Sequence, residues 1–219
     1  MLTFSYVVVL SYLVPIVAAW RYQVVSLPLR LVAVYCGLAL GQSLYMVYLA
    51  SSDVRNLWLI HAFVPVQATL LLSALALWQV RELARTTVFV SIPMFLMAWL
   101  MLTLTVESLE SFPRYVKTIE GLLIVAVAAY TLLTRSQFIA APVTAFSWFW
   151  VSAALLTYFA FVSIVNPASS YLLSSSPGRL RLMSLINFSL VLVCNLGFAR
   201  AMVVPGRGEA AVNAPAAAR

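Results

Sequence analysis

Charge is scarce in this chain: 9% of its 219 residues are charged, with one lysine, Lys117, and one histidine, His61. A soluble domain carries about 25% charged residues. The scarcity also removes whole chemistries. A retinal Schiff base needs a lysine deep in a seventh helix, and Lys117 stands at a helix end. Zinc hydrolases built on several histidines need more than one. No G-x-S-x-G turn marks a serine nucleophile and no glycine-rich loop cradles phosphate, so no catalytic activity and no cofactor are expected. The two cysteines, Cys36 and Cys194, both lie inside apolar runs, where they read as buried small residues rather than a disulfide or a metal site. The net charge of +7 comes from basic residues spread thinly over links, with no polybasic patch, so nucleic acid is not an expected partner.

What the chain has instead is apolar length, at 64% hydrophobic residues. A bilayer-spanning helix needs about 20 mostly apolar residues at about 1.5 Å rise each. Seven windows qualify: Leu2–Trp20, Leu29–Leu49, Leu57–Trp78, Val88–Thr105, Val116–Leu133, Thr144–Val165 and Leu182–Val203. The runs are continuous rather than alternating, which selects helices over barrel strands. The first lacks a basic flank before it and reads as a retained span, not a signal peptide. Short links between the windows imply antiparallel neighbours, hence an all-α, polytopic, single seven-helix bundle over residues 1–204. The longest link is Asn166–Arg181. Residues 205–219, rich in Ala, Gly and Pro, read as a disordered cytoplasmic tail. Gly37 and Gly41 form a G-x-x-x-G on the second span, expected to serve close packing inside the bundle. Pro15, Pro65 and Pro93 lie within spans and permit kinks.

Basic residues set orientation. With the N-terminus outside, eight arginines fall on the cytoplasmic side (Arg21, Arg30, Arg81, Arg85, Arg135, Arg200, Arg207, Arg219). Five basic residues fall outside (Arg55, Arg114, Lys117, Arg179, Arg181). The excess favours N-out, C-in. Trp20, Trp78, Trp148 and Trp150 would then lie near the inner interface and Trp58 near the outer one.

Strongly polar groups in hydrocarbon cost several kcal/mol unless paired, so the few present are the candidate site. They are His61 and Gln67 on the third span, Glu120 on the fifth, Asn187 and Asn195 on the seventh, and Gln42 and Tyr45 on the second, with Tyr6 and Tyr158 as further hydroxyl carriers. Counting from the span starts at about 1.5 Å per residue puts His61, Glu120 and Asn187 about 6–8 Å deep, with Tyr6 and Tyr45 level with them. An outer polar layer over an uncharged inner half is the expected picture. Glu120 has a local alternative, an i,i+3 pair with Lys117. A sharper possibility is that His61 and Glu120 face each other as a titratable pair.

Several local patterns carry a resemblance. Leu59-Ile60-His61-Ala62-Phe63 continues to Gln67, and Thr118-Ile119-Glu120-Gly121-Leu122-Leu123 follows on the fifth span. Ser147-Trp148-Phe149-Trp150 runs to Tyr158-Phe159, and Leu185-Ile186-Asn187-Phe188 runs to Asn195-Leu196-Gly197-Phe198. Together they resemble small, uncharacterised seven-helix bacterial membrane proteins, which in turn look like the seven-helix sensor modules of histidine kinases. The resemblance places His61, Glu120 and Asn187 at that family's polar positions. This chain departs from the pattern at Gln67, often a carboxylate there, and at Met183, often a histidine.

The leading expectation is therefore a receptor-like, sensory module of the inner (plasma) membrane. It would bind a small ligand in an outer-half pocket lined by His61, Glu120, Asn187, Gln42, Tyr45 and Gln67. Its surroundings would be the lipid bilayer and a membrane-protein partner that receives the signal. Two alternatives share the same groups: a small-solute or proton-coupled transporter, and an accessory subunit of a larger membrane complex in which His61 serves as an axial ligand. The orientation is directly testable. Fluorescent-protein fusion at the C-terminus should fluoresce and alkaline-phosphatase fusion there should be inactive; the reverse pattern would invert the topology.

Overall fold

In lipid every backbone N–H and C=O must be satisfied within the protein, and continuous apolar runs do this as helices. The structure, a computed structural model, describes residues 2–52, 54–138, 141–173 and 177–204. Among these are eight α-helices, one 3-10 turn and no strand: α1 (Leu2–Ser11), α2 (Leu13–Arg21), α3 (Leu27–Ser51), α4 (Leu57–Leu77), α5 (Glu82–Thr105), α6 (Arg114–Ser136), the turn Val143–Ala145, α7 (Ser147–Leu173) and α8 (Pro177–Val203). Six helices are long and apolar enough to cross a membrane, and a shorter apolar segment, Tyr6–Arg21, precedes them. The expected tail, residues 205–219, lies outside the described residues.

Two boundaries differ from expectation for local reasons. The first window is not one helix but two, broken at Tyr12. Pro15 has no N–H to give Ser11 and its ring crowds that carbonyl, so the ladder cannot pass this point unbroken. Tyr12 instead bonds back to the Val9 carbonyl at 3.3 Å, a tighter turn. Asn195 on α8 donates to Ser11 Oγ at 2.7 Å and ties the break to the bundle. Second, the expected Asn166–Arg181 link is largely helical, since α7 runs to Leu173 and α8 starts at Pro177. Hydropathy ends a span where polar residues begin, but a helix can continue past that point into the interfacial region. Asn187 therefore sits ten residues into its helix rather than five.

The helices close a ring. α2 packs on α3, α3 on α4, α4 on α6, α6 on α7, α7 on α8, and α8 back on α2 and α1. α5 lies outside the ring, against α4 and α6. Its outward stripe Met94, Met97, Met101 and Leu104, spaced by three and four residues, is 63–75% exposed. Such an apolar stripe is out of place in water and suits lipid, identifying a multi-pass membrane protein.

Small residues set the tightest contacts. A Cβ on Gly121 of α6 would overlap the Ser163 Oγ of α7, and one on Gly197 of α8 would come within 2.8 Å of the Ala154 Cβ of α7. Gly37 and Gly41 do the opposite of what their spacing suggests. Each has open space around it, because α3 buries Leu29, Val32, Cys36 and Ala39 on its other face. Cys36 and Cys194 are free and buried.

The end opposite Leu57 holds a network that belt reasoning misplaces. Trp78 and Trp148 are 2% and 0% exposed, not lipid-facing anchors. Arg135 Nε donates to the Trp78 carbonyl and its guanidinium lies 5.9 Å from the Trp148 ring centroid. Gln79 Nε2 donates to Thr131 Oγ1 at 2.7 Å and to the Leu75 carbonyl at 3.0 Å. This network joins the α4–α5 link to α6 and α7. Gly121→Ala should destabilise the bundle by about 1–3 kcal/mol through overpacking. Adding Ser163→Ala removes the clashing oxygen and should restore most of that loss in thermal melts in detergent. Additive single effects would show that the α6–α7 approach is not set here.

Candidate functional site

A ring of helices leaves a centre to fill, and here the centre is filled unevenly. Toward the end opposite Leu57, large apolar side chains close it: Leu71, Leu72, Leu75, Ile124 and Leu155 are at most 1% exposed. On the Leu57 side of this plug lies a cavity of about 340 Å³. That is the lower end of the range of small-molecule sites, about 300–1,000 Å³. α3, α4, α6, α7 and α8 contribute to its wall, together with the α1–α2 break. Tyr12, at the α1–α2 break, faces Tyr35, Ala39 and Gln42 of α3 and Ile60, Phe63 and Gln67 of α4. Lys117 of α6, Tyr158 to Val165 of α7, and Met183 and Asn187 of α8 complete it. Phe112, in the α5–α6 link and 37% exposed, carries the wall to the surface.

The polar members share a depth. Gln67 is ten residues past Leu57, Asn187 ten past Pro177, and Gln42 nine before Ser51. At 1.5 Å per residue these are about 14–15 Å from one end of their helices.

Lys117 is the charged group of the wall, and it is braced from both sides. Its Nζ donates to Glu120 Oε2 at 2.9 Å and to Gln67 Oε1 at 3.3 Å. Glu120 is fully buried behind it and does not line the cavity, and among the described residues its Oε1 has no hydrogen-bond partner. The i,i+3 spacing on α6 stacks the two side chains on one face. A lone charge here would be costly, whereas the pair is electroneutral.

His61 does not join Glu120: no hydrogen bond or ion pair links them. It is 1% exposed and its Nε2 lies 2.9 Å from the Ser111 carbonyl. A carbonyl only accepts, so the proton is on Nε2, and Nδ1 is left buried without a partner among the described residues. The His61 carbonyl in turn accepts from Trp99 Nε1 at 3.1 Å, which ties α5 to α4. His61 therefore acts on the cavity at one remove, by holding the link whose next residue is Phe112. Two further contacts hold that link. Glu107, 8% exposed, accepts at Oε1 from the backbone N–H groups of Tyr115 and Val116, at 2.6 and 3.4 Å, capping the first turn of α6. Arg55 and Glu110 form an ion pair at 2.6 Å, but with 81% and 72% of the side chains exposed it adds little.

Of the sequence candidates, then, Gln42, Gln67 and Asn187 meet at the cavity, and His61 and Glu120 lie behind its wall. Tyr45 is 45% exposed and stacks on Tyr48 at 6.2 Å, on the outside of the bundle. Asn195 bonds Ser11 and is not part of the cavity wall. Sequence reasoning missed Lys117 as a wall residue, Tyr12 and Tyr35, and the capping role of Glu107. The signal for the two tyrosines was their mid-span position, far from either interface where tyrosine usually anchors.

These features define the class of protein: an integral, multi-pass helical membrane protein with a central, half-polar cavity. No family model matches the chain, and no curated protein or solved structure is significantly similar to it.

The brace predicts a non-additive mutant series. Lys117→Met strands a buried carboxylate and should cost about 3–5 kcal/mol. Lys117→Met with Glu120→Gln should recover most of this in thermal melts. Equal instability of the single and double variants would show that the pair is not coupled.

Proposed function

We propose that the protein is a receptor-like sensory module that binds a small ligand in the central cavity. The observation that carries this reading is a cavity whose wall reaches the surface at Phe112 on one side and stops at an apolar plug on the other. A carrier needs a polar route to both faces, and the groups that would continue one, Gln67 and Asn195, do not form it. Gln67 is held by Lys117, and Asn195 is held by Ser11. A cup suits binding without passage.

In this reading α1 and α2 together make a seventh span, and the N-terminus is outside, so the cavity is reached from the external face of the plasma membrane. Ligand contact at Phe112 reaches His61 through Ser111, and α5 through the Trp99–His61 bond. α5 stands outside the ring, the position from which a partner's helices are most readily met.

The test is a thermal-shift screen of small polar metabolites on the purified protein in nanodiscs, beside an Ala39→Phe variant that fills the cavity. Hits should raise the melting temperature of the wild type and leave the filled variant unmoved. Each hit should also be retained inside proteoliposomes as long as inside empty liposomes. Faster loss with protein present would make the molecule a carrier.

A further inference from the structure

The charge and shape of the cavity wall select among ligands. Resting on the reading of the cavity as a ligand site, we propose that its occupant is a small, neutral, flat-ringed molecule carrying a carbonyl-type acceptor, held by the ammonium group of Lys117.

Electroneutrality is the first reason. Lys117 is the charged member of the described wall, and Glu120, 2.9 Å from its Nζ, already balances it. A carboxylate ligand would place a second negative group beside Glu120, whose Oε1 is itself without a donor among the described residues. A cationic ligand would meet the ammonium. Either leaves a net charge buried inside the bundle, which costs several kcal/mol.

Donor count is the second reason. An ammonium carries three N–H groups. Two are spoken for, by Glu120 and Gln67, and among the described residues the third has no partner. Lys117 is only 13% exposed at its side chain, yet it lines the cavity. A neutral carbonyl accepts from that remaining donor as a charge-assisted hydrogen bond without disturbing the ion pair.

Shape is the third. Seven of the sixteen wall residues are aromatic, and they come from opposite sides of the ring: Tyr12 and Tyr35 on one, Tyr158 and Phe159 on the other. Facing aromatic walls favour a flat ring, by stacking and edge contacts worth about 0.5–1.5 kcal/mol per pair beyond burial.

Three probes of matched size separate these terms: 2-naphthamide, 2-naphthoate and naphthalene, titrated calorimetrically into the protein in nanodiscs with empty nanodiscs subtracted. The amide should bind at least tenfold tighter than both the carboxylate and the hydrocarbon. In the Lys117→Met, Glu120→Gln variant the amide should lose that advantage while naphthalene binds as before. Naphthoate binding as tightly as the amide, or an advantage that survives in the double variant, overturns the proposal. The wild-type order alone decides if the variant does not fold. Equal binding of all three leaves the cavity a ligand site and removes only the neutral-acceptor claim. No binding by any of them removes both.

Discussion

A charge that enters hydrocarbon must bring its counterion or be neutralised, and in this bundle that constraint is met within one turn of α6. Lys117 and Glu120 sit on the same face, the carboxylate fully buried and the ammonium between it and the cavity. Gln67 reaches across from α4 to the same nitrogen. The bond therefore ties two helices of the ring together while keeping their shared interior neutral. It also fixes the character of the cavity, which has a cationic donor but no net charge.

The same accounting explains the other polar contacts. Polar side chains buried in the bundle repeatedly bridge elements: Asn195 to the α1–α2 break, Gln79 to α6, His61 to the α5–α6 link, and Glu107 to the start of α6. In a bilayer, apolar surface between helices supplies little drive toward association, since lipid is as apolar as leucine. Close contact through small residues and these hydrogen bonds supplies it instead. Gly121 and Gly197 do the first, and the bridging side chains do the second. The cavity wall holds one such bridge, Lys117 to Gln67, and is otherwise largely aromatic and apolar.

Much of this was legible in the residues. The six long spans and their rough limits follow from hydropathy because the bilayer imposes one length on every crossing segment. The local Lys117–Glu120 pair follows from i,i+3 spacing. Gln42, Gln67 and Asn187 stood out because amides are rare in such runs, and they do meet. Reasoning failed where spacing had to stand in for direction. The G-x-x-x-G of Gly37 and Gly41 reads as an interior packing surface, but the opposite face of α3 carries the contacts. Tyr45 reads as a member of the polar layer, but its helix turns it outward. The helix that carries Asn187 starts before its apolar run does, a boundary that hydropathy does not mark.

The sequence by itself determined the class of this protein, an all-helical chain threaded repeatedly through a bilayer, since composition and run length answer to the solvent alone. Which polar groups share a site was decided only by the tertiary structure. Periodicity gives each helix a face but not the neighbour it meets. Ring closure selected Lys117, Tyr12 and Tyr35 for the cavity, set His61 and Glu120 behind its wall, and left Tyr45 outside.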